Sequence, residues 1–285
     1  MRLLTFNFFI FLFFFSCSKE IIQKDFLIFR EPYISNFSNA GSDFSNGGSD
    51  NVNQRLKKSP CQNGMAAIYP CKGYDFISRI TLDEFESESG NDNWGWTDPE
   101  TGIEYVLSGY NDGTAFVSIE DPENPIYLGK LPTSTFPSEY RDIKVYNSHA
   151  FIVSEAPNHG LQVFDLTRLR GLTEFQSFDA DVILQDFGSA HNIAINEETG
   201  FAFVVGSNLY QGGPVFIDVN DPQKPKIVGG FETASYTHDA QIIIYRGPDE
   251  NYQGKELLFG SNSDGVANNK IVILDVTDKK NPEWI

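Results

Sequence analysis

Polar residues with the potential for chemistry recur at a nearly constant spacing along this sequence. Each stands at the start of a short stretch of alternating apolar residues, the pattern of a half-buried β-strand. The pairs are Arg141-Asp142, His191-Asn192 and His238-Asp239, and their second members are 50 and 47 residues apart. Because equivalent positions of a repeat are related by a regular rotation, we expect these side chains to surround one opening of the fold.

These residue types suit two kinds of chemistry. Neutral imidazoles and carboxylates bind divalent metal ions, and the same groups transfer protons to and from substrates. His159 lies in a predicted loop on the same face, and Trp94 and Trp96 open the corresponding strand of an earlier copy. The candidate ligand-binding residues are Trp94, Trp96, Arg141, Asp142, His159, His191, Asn192, His238 and Asp239, of which His159, His191, His238 and Asp239 are the candidate metal ligands.

Three interpretations of this polar set stay open. The side chains can hydrogen-bond neighbouring copies of the repeat, they can bind a divalent metal or another ligand, or they can catalyse a reaction. The sequence contains no His-Glu-x-x-His, no Gly-x-Ser-x-Gly and no phosphate-binding glycine loop. We therefore assign no catalytic residue and expect a binding role ahead of an enzymatic one.

The elements that must position these residues come from an internal repeat. Residues 213–231 read as a strand, an Asp-Pro turn and a second strand, and related segments begin at Thr114, Leu161 and Lys270. The aligned residues Ser118, Asp165, Asp218 and Asp275 are separated by 47, 53 and 57 residues. Such periods without a helical pattern are typical of four-stranded propeller blades. The sequence predicts an all-β fold, a β-propeller with four blades visible.

Alternating apolar residues and intervening turn residues give the predicted strands. They cover residues 94–96, 104–108, 114–119 and 126–131 in blade one, 141–146, 149–153, 161–166 and 172–178 in blade two, 191–196, 201–206, 214–219 and 226–231 in blade three, and 238–245, 256–260 and 270–276 in blade four. Asp121, Asp221 and Asp278 are predicted to accept hydrogen bonds from local turn amides. A further outer strand is predicted over residues 74–82.

The fourth blade reaches the end of the sequence where its last strand should begin. Two interpretations are open. Residues 76–82 could supply the missing strand and close a small ring, or the chain could be a C-terminally truncated copy of a longer propeller. We expect the second, so the propeller is predicted to be incomplete at its C-terminus.

The N-terminus carries a predicted export signal. Arg2 precedes an almost continuous apolar run over residues 3–15, the length of a signal-peptide core and too short to span a membrane. Residues 14–17, Phe-Phe-Ser-Cys, resemble the lipobox of bacterial lipoproteins, which implies cleavage before Cys17 and lipidation of its thiol. We predict a signal peptide over residues 1–16, a tether rich in Asn, Ser and Gly over residues 17–59, and a membrane anchor of acyl chains.

Export also bears on the remaining cysteines. The chain has 3 cysteines, and lipidation of Cys17 leaves Cys61 and Cys71 in an oxidising compartment. The segment between them offers no further metal ligands, so we predict that these two form a structural disulfide.

The composition excludes one class of partner. The chain has 39 acidic and 21 basic residues and a net charge of −18, so its surface as a whole repels a phosphate backbone. No nucleic-acid partner is expected. With 40% apolar and 14% aromatic residues, residues 60–285 can bury a sizeable core and are predicted to form one domain.

Several motifs, taken in order, resemble those of a known family. They are Cys61…Tyr69-Pro70-Cys71, WGW at 94–96, YRDIKV at 140–145, HGLQVFDL at 159–166, HNIAIN at 191–196, YTHDAQ at 236–241 and VILDVT at 272–277. Together they resemble the choice-of-anchor B family, whose repeats are of the LVIVD type and whose eukaryotic relatives are called regulatory P domain-containing proteins.

This resemblance covers about residues 60–285. It implies a secreted β-propeller-like domain that is attached to the cell by differing devices, a lipoprotein cysteine among them. It implies no settled biochemical activity. Members of the family commonly continue past the point where this sequence ends, into another His-containing repeat.

We therefore expect an extracytoplasmic lipoprotein of the bacterial outer membrane or cell surface whose propeller binds a protein or a glycan. For a glycan, Trp94, Trp96 and Tyr210 would supply stacking surfaces. The alternative is a metal-dependent hydrolase or lyase with a divalent metal cofactor at the mouth of the channel.

Overall fold

The computed structural model describes residues 56–233, 235–263 and 269–285. All of them belong to one compact unit, residues 53–285. The predicted signal peptide, Cys17 and most of the predicted tether lie outside the described residues. No described helix is long and apolar enough to cross a membrane.

The described chain is all-β, as predicted, and its regular elements are strands and three short 3₁₀ turns. Four antiparallel sheets follow one another, and none closes on itself. Sheet I contains β3 (Gly90–Thr97), β4 (Glu104–Tyr110), β5 (Gly113–Ser118) and β6 (Ile126–Pro132); sheet II contains β7 (Arg141–Tyr146), β8 (His149–Ser154), β9 (Leu161–Asp165) and β11 (Val182–Leu184). Sheet III contains β12 (Asn192–Asn196), β13 (Phe201–Val205), β14 (Val215–Asp218) and β15 (Lys226–Gly230); sheet IV contains β16 (Thr237–Ile244), β17 (Glu256–Asn262), β18 (Lys270–Asp275) and β19 (Glu283–Trp284).

The remaining short elements connect these sheets or precede them. β1 (Met65–Ala66) and β2 (Tyr69–Pro70) form a hairpin, and β10 (Gln176–Ser177) adds in parallel to β6. The 3₁₀ turns span Leu166–Leu169, Tyr210–Gly212 and Glu250–Tyr252.

Two strand predictions are wrong. Residues 172–178 do not form the fourth strand of sheet II, because Gln176–Ser177 pairs with sheet I and Val182–Leu184 takes the fourth place. Residues 74–82 form no strand and make one isolated bridge, between Ser59 and Phe76. The apolar residues of both segments pack on neighbouring sheets, Leu172 and Phe178 between sheets I and II and Ile80 on sheet I.

The core lies between the sheets. Sheets I and II enclose aromatic and aliphatic residues, among them Phe116 and Phe164, whose rings stack with centroids 4.6 Å apart. Sheets II and III enclose mainly Val, Ile and Phe, and sheets III and IV meet through Phe203, Phe216 and Leu258. Sheets II and III therefore alternate their side chains between two neighbouring interfaces, as expected for sheets stacked face to face.

The outer face of sheet I is covered by the segment that precedes it. Phe85 packs on Tyr110 and Tyr127 with ring centroids 4.7 and 4.9 Å apart, and Ile80 joins the same apolar cluster. Residues 76–82 therefore lie against sheet I and not beside sheet IV, where β19 occupies the fourth position. The idea that this segment supplies the last strand of sheet IV is wrong.

The repeated Asp residues form the predicted turns. Asp121 and Asp278 each accept a bond from the backbone amide two residues on, at 3.0 and 2.9 Å, and from an Asn side chain at 2.8 Å in both cases. Asp221 accepts the amide of Gln223 at 3.1 Å. These side chains satisfy turn amides that would otherwise lack a partner.

Two repeated glycines allow neighbouring segments to approach closely. A Cβ atom on Gly129 would lie 2.1 Å from the carbonyl oxygen of Gln176, and one on Gly229 would lie 2.1 Å from that of Lys279. Each glycine lies at a register shift of its own strand pair, Gly129 opposite Phe116 and Gly229 opposite Phe216. The repeat therefore conserves space for backbone at the same place in sheets I and III.

The predicted disulfide between Cys61 and Cys71 is present, with Cα atoms 5.8 Å apart. It closes the segment that contains the β1–β2 hairpin. A hydrogen bond also holds this segment, because the side chain of Asp75 accepts the backbone amide of Cys61 at 2.9 Å.

Candidate functional site

The first strands of the four sheets lie side by side, β3 next to β7, β7 next to β12, and β12 next to β16. Between them is a cavity of about 480 Å³ to which all four sheets contribute side chains. Its polar lining includes Asp92, Asp142, Lys144, Asn192 and Asp239. The equivalent residues singled out in the sequence, Asp142, Asn192 and Asp239, are therefore brought to one cavity.

Three of the polar residues join neighbouring first strands. Asp92 accepts the backbone amide of Ile143 at 3.1 Å, and Asp142 accepts the amide of Ile193 at 2.7 Å. Asn192 continues the series as a donor, from its side-chain Nδ2 to the carbonyl oxygen of His238 at 2.8 Å. Each bond crosses from one sheet to the next, so these side chains hold the sheets together around the cavity.

Asp92 and Lys144 were not among the candidate residues. The signal for Asp92 was present, because it precedes Asp142 by 50 residues and Asp142 precedes Asn192 by the same number. Asn91 beside it accepts the backbone amide of Arg141 at 3.2 Å. Lys144 gave no such signal, since no other copy has a cation at that position.

Asp142 is the most perturbed carboxyl group of the cavity. Burial and the neighbouring Asp92 raise the pKa of Asp142 to about 7, although Lys144 opposes the shift. The Lys144 Nζ atom lies 2.6 Å from Asp142 Oδ1. The contact with Lys144 therefore offsets only part of the rise in pKa that burial and Asp92 cause.

Asp239 differs from its equivalents because it is exposed. Its carboxylate accepts the amide of Ala240 in its own strand at 2.7 Å. No described residue of another sheet donates to it in the way that Ile193 donates to Asp142. Of the acidic residues in the series, Asp239 is the one that faces the cavity without joining two sheets.

Arg141 and His159 form a buried pair at the junction of sheets I and II. Arg141 is 1% exposed; its Nε donates to the carbonyl oxygen of Tyr110 at 3.0 Å and its Nη1 to His159 Nε2 at 3.0 Å. His159 donates from Nδ1 to the carbonyl oxygen of Gly160 at 3.0 Å, which fixes its tautomer. Burial and the adjacent guanidinium lower the pKa of His159 to about 4, and burial lowers that of Arg141 to about 10.

His191 and His238 form a second, accessible pair between sheets III and IV. Their Nε2 atoms are 3.0 Å apart, and Nδ1 of His191 lies 2.7 Å from Glu155 Oε1. Burial and the neighbouring His191 lower the pKa of His238. Glu155 comes from the loop after β8, so three sheets contribute to this cluster.

The two tryptophans have different surroundings. Trp94 is 39% exposed, lines the cavity and lies under the Lys144 ammonium group, 4.5 Å from the ring centroid. Trp96 is 6% exposed and stacks on Tyr105 within the core. Tyr210 packs against the core of sheets II and III. Of these three residues, Trp94 presents an aromatic surface to the cavity.

The four candidate metal ligands are not brought to one point. Both ring nitrogens of His159 are engaged, by Arg141 and by Gly160, and its side chain is fully buried. Among the described residues, no group of three or more His, Cys, Asp or Glu side chains is arranged to hold a metal ion. His191 and His238 remain as a two-residue cluster.

Comparison with known proteins adds no assignment to this geometry. No family model matches the sequence, and no curated protein matches it.

Proposed function

We propose that this protein is an exported binding module of β-propeller architecture, held at the bacterial cell envelope by a lipidated Cys17, and that its central cavity binds a glycan. The observation that carries the proposal is the cavity of about 480 Å³, lined by the first strands of all four sheets. Propellers place the first strands of their blades around such a central space.

The chemistry of the cavity favours a ligand rich in hydroxyl groups. Asp92 and Asp239 contribute carboxylate oxygens, Asn192 contributes an amide group, and Lys144 contributes a positive charge. Trp94 adds a partly exposed aromatic ring of the kind on which a sugar can stack. Few convergent polar groups with apolar walls are the usual composition of a small-ligand site.

Glycan binding is tested on the full-length protein purified in detergent and applied to an array of bacterial and host glycans. Trp94→Ala and Asp239→Asn are expected to weaken binding to the recognised glycan at least about tenfold, the loss of one stacking surface or one charge-assisted hydrogen bond. Trp284→Ala is the matched control, because Trp284 is 51% exposed and does not line the cavity. Binding that is absent, or equal in the Trp94 and Trp284 variants, would refute the proposal.

The anchor is tested separately in the native cell. The disulfide between Cys61 and Cys71 supports an oxidising compartment. Metabolic labelling with palmitate is expected to label the protein, and Cys17→Ser is expected to abolish the label and release the protein from the membrane fraction. Equal labelling of both forms would exclude lipidation at Cys17.

A further inference from the structure

The accessible histidine pair has a geometry that the cavity proposal does not use. His191 precedes β12 and is held by a backbone bond from its amide to Val205 at 3.0 Å. His238 lies in β16, at a register shift between β16 and β17. Both side chains therefore project from sheet edges and not from long loops, and their ring centroids are 4.2 Å apart.

Glu155 selects the tautomer of His191. Since its carboxylate can only accept, the 2.7 Å contact requires a hydrogen on Nδ1 of His191. Nε2 of neutral His191 then carries a lone pair directed at His238. A carboxylate that orients the far nitrogen of an imidazole is the common outer-shell partner of metal-binding histidines.

The two Nε2 atoms are close enough for both to bind one metal ion. A metal bond to imidazole is about 2.0–2.1 Å long. Two such bonds to nitrogens 3.0 Å apart meet at an angle of roughly 90–100°, which suits adjacent positions of a tetragonal or octahedral ion.

The remaining coordination positions are open to solvent. His238 is exposed and borders a surface depression of about 380 Å³ that also includes Ser261, Asn262 and Lys270. Lys270 is a cation in this depression, and Glu155 and Asp239 are acidic residues near the histidines. The net charge of −18 favours the approach of a cation to the surface as a whole.

We propose that His191 and His238 bind one copper(II) ion through their Nε2 atoms in adjacent positions, with Glu155 as the positioning residue and water completing the coordination. In the free protein, His238 donates its Nε2 hydrogen to His191. Metal binding requires that this hydrogen moves to Nδ1 of His238 through solvent, so that both Nε2 lone pairs face the ion. Copper(II) is chosen because it prefers tetragonal nitrogen and oxygen sites and binds them most tightly of the divalent first-row ions.

The test uses the full-length protein in detergent, without a polyhistidine tag, titrated with copper(II) chloride in the presence of a weak competing ligand. We expect one tight equivalent, and an electron paramagnetic resonance spectrum with nitrogen coupling from two imidazoles. His238→Gln is expected to weaken binding at least about tenfold and to leave coupling from one imidazole. His149→Ala is the matched control and is expected to bind like the wild type, because His149 lies in β8 and bonds to Asn147.

Glu155→Gln tests whether Glu155 positions His191 or binds the copper ion directly. It is expected to weaken copper binding by about 10- to 100-fold while the coupling from two imidazoles persists. Thermal unfolding of each variant without metal checks that the fold is intact. Equal copper binding in the wild type and in the His191→Ala/His238→Gln double variant would overturn the proposal, and so would a wild-type spectrum with fewer than two coupled imidazoles.

Discussion

Arg141 and His191 occupy equivalent positions, 50 residues apart at the start of the first strands of sheets II and III, but the fold uses them in opposite ways. Each reaches back to the end of the second strand of the preceding sheet, Arg141 to Tyr110 and His191 to Glu155. Arg141 is sealed within the interface at 1% exposure, whereas the His191 side chain is 13% exposed.

The difference in exposure between Arg141 and His191 follows from the residues that cover each side chain. Arg141 is covered by the His159 loop, and His159 uses both ring nitrogens in bonds to the protein. His191 meets His238, whose outer side is exposed. The same repeat position therefore makes a fully buried polar contact at one junction and a partly exposed one at the next. Burial of the neighbouring residue, and not the residue type alone, decides between the two roles.

The largest effect is expected when the buried pair is broken. Arg141→Ala removes a large buried side chain and leaves the Tyr110 carbonyl and His159 Nε2 without a donor, which should lower the free energy of unfolding by about 3 kcal/mol. His191→Ala should lower it by less than about 1 kcal/mol, because solvent can replace its contacts. Urea unfolding of both variants measures the contrast. Similar losses in the two variants would contradict it.

The second prediction concerns the loss of folding stability at acidic pH. Because burial lowers the pKa of His159 to about 4, the unfolded chain takes up a proton on this histidine first as the pH falls below about 6.5. The contribution of His159 is thus fully present above pH 6.5 and is lost towards pH 4, by at most about 3 kcal/mol. The measurement is urea unfolding of the wild type and His159→Gln between pH 7 and pH 4.

The control for this experiment is the difference between the two proteins at each pH. Asp142 titrates in the opposite sense, because its raised pKa makes the folded state take up the proton first. That contribution is common to both proteins and cancels. A constant difference across the range would show that His159 titrates alike in the folded and unfolded chains.

The smallest difference in the free energy of unfolding is expected between variants of two carboxylates of the cavity wall. Asp142→Ala leaves the amide of Ile193 without its acceptor between sheets II and III and should cost about 2 kcal/mol. Asp239→Ala removes an exposed carboxylate that bonds within its own strand and should cost less than about 0.5 kcal/mol. Thermal unfolding of the two variants tests this order. An equal loss would mean that Asp239 also supports a neighbouring segment.

Much of the fold could be predicted because strand and turn signals are local. The alternation in residues 201–206 predicts a strand and Asp221-Pro222 predicts a turn, and the structure confirms both, as β13 and as the connection between β14 and β15. The strand at residues 172–178 was mispredicted because its alternation is equally compatible with pairing to sheet I. Which neighbour a short strand joins depends on contacts that are distant in sequence.

The candidate site, like the fold, could be predicted in part from the sequence. The spacing of Asp142, Asn192 and Asp239 indicated a common cavity, since repetition carries positional information. It did not separate His159 from His191 and His238, because the three residues carry the same local signal. Residue type and spacing indicate which side chains lie on the same face of the fold. They do not indicate which of their polar atoms already have hydrogen-bond partners within the protein.

The sequence by itself determined the all-β repeat, the Asp turns, the Cys61–Cys71 pairing and the set of polar residues at the strand starts, because each depends on local pattern or on composition. Only the tertiary structure decided that Trp96 is core, that Arg141 and His159 bond to each other in the interior, and that His238 is exposed beside His191. These outcomes depend on how closely neighbouring sheets approach and what covers them. Burial of this kind is a property of the packed sheets and is not encoded in any single stretch of the chain.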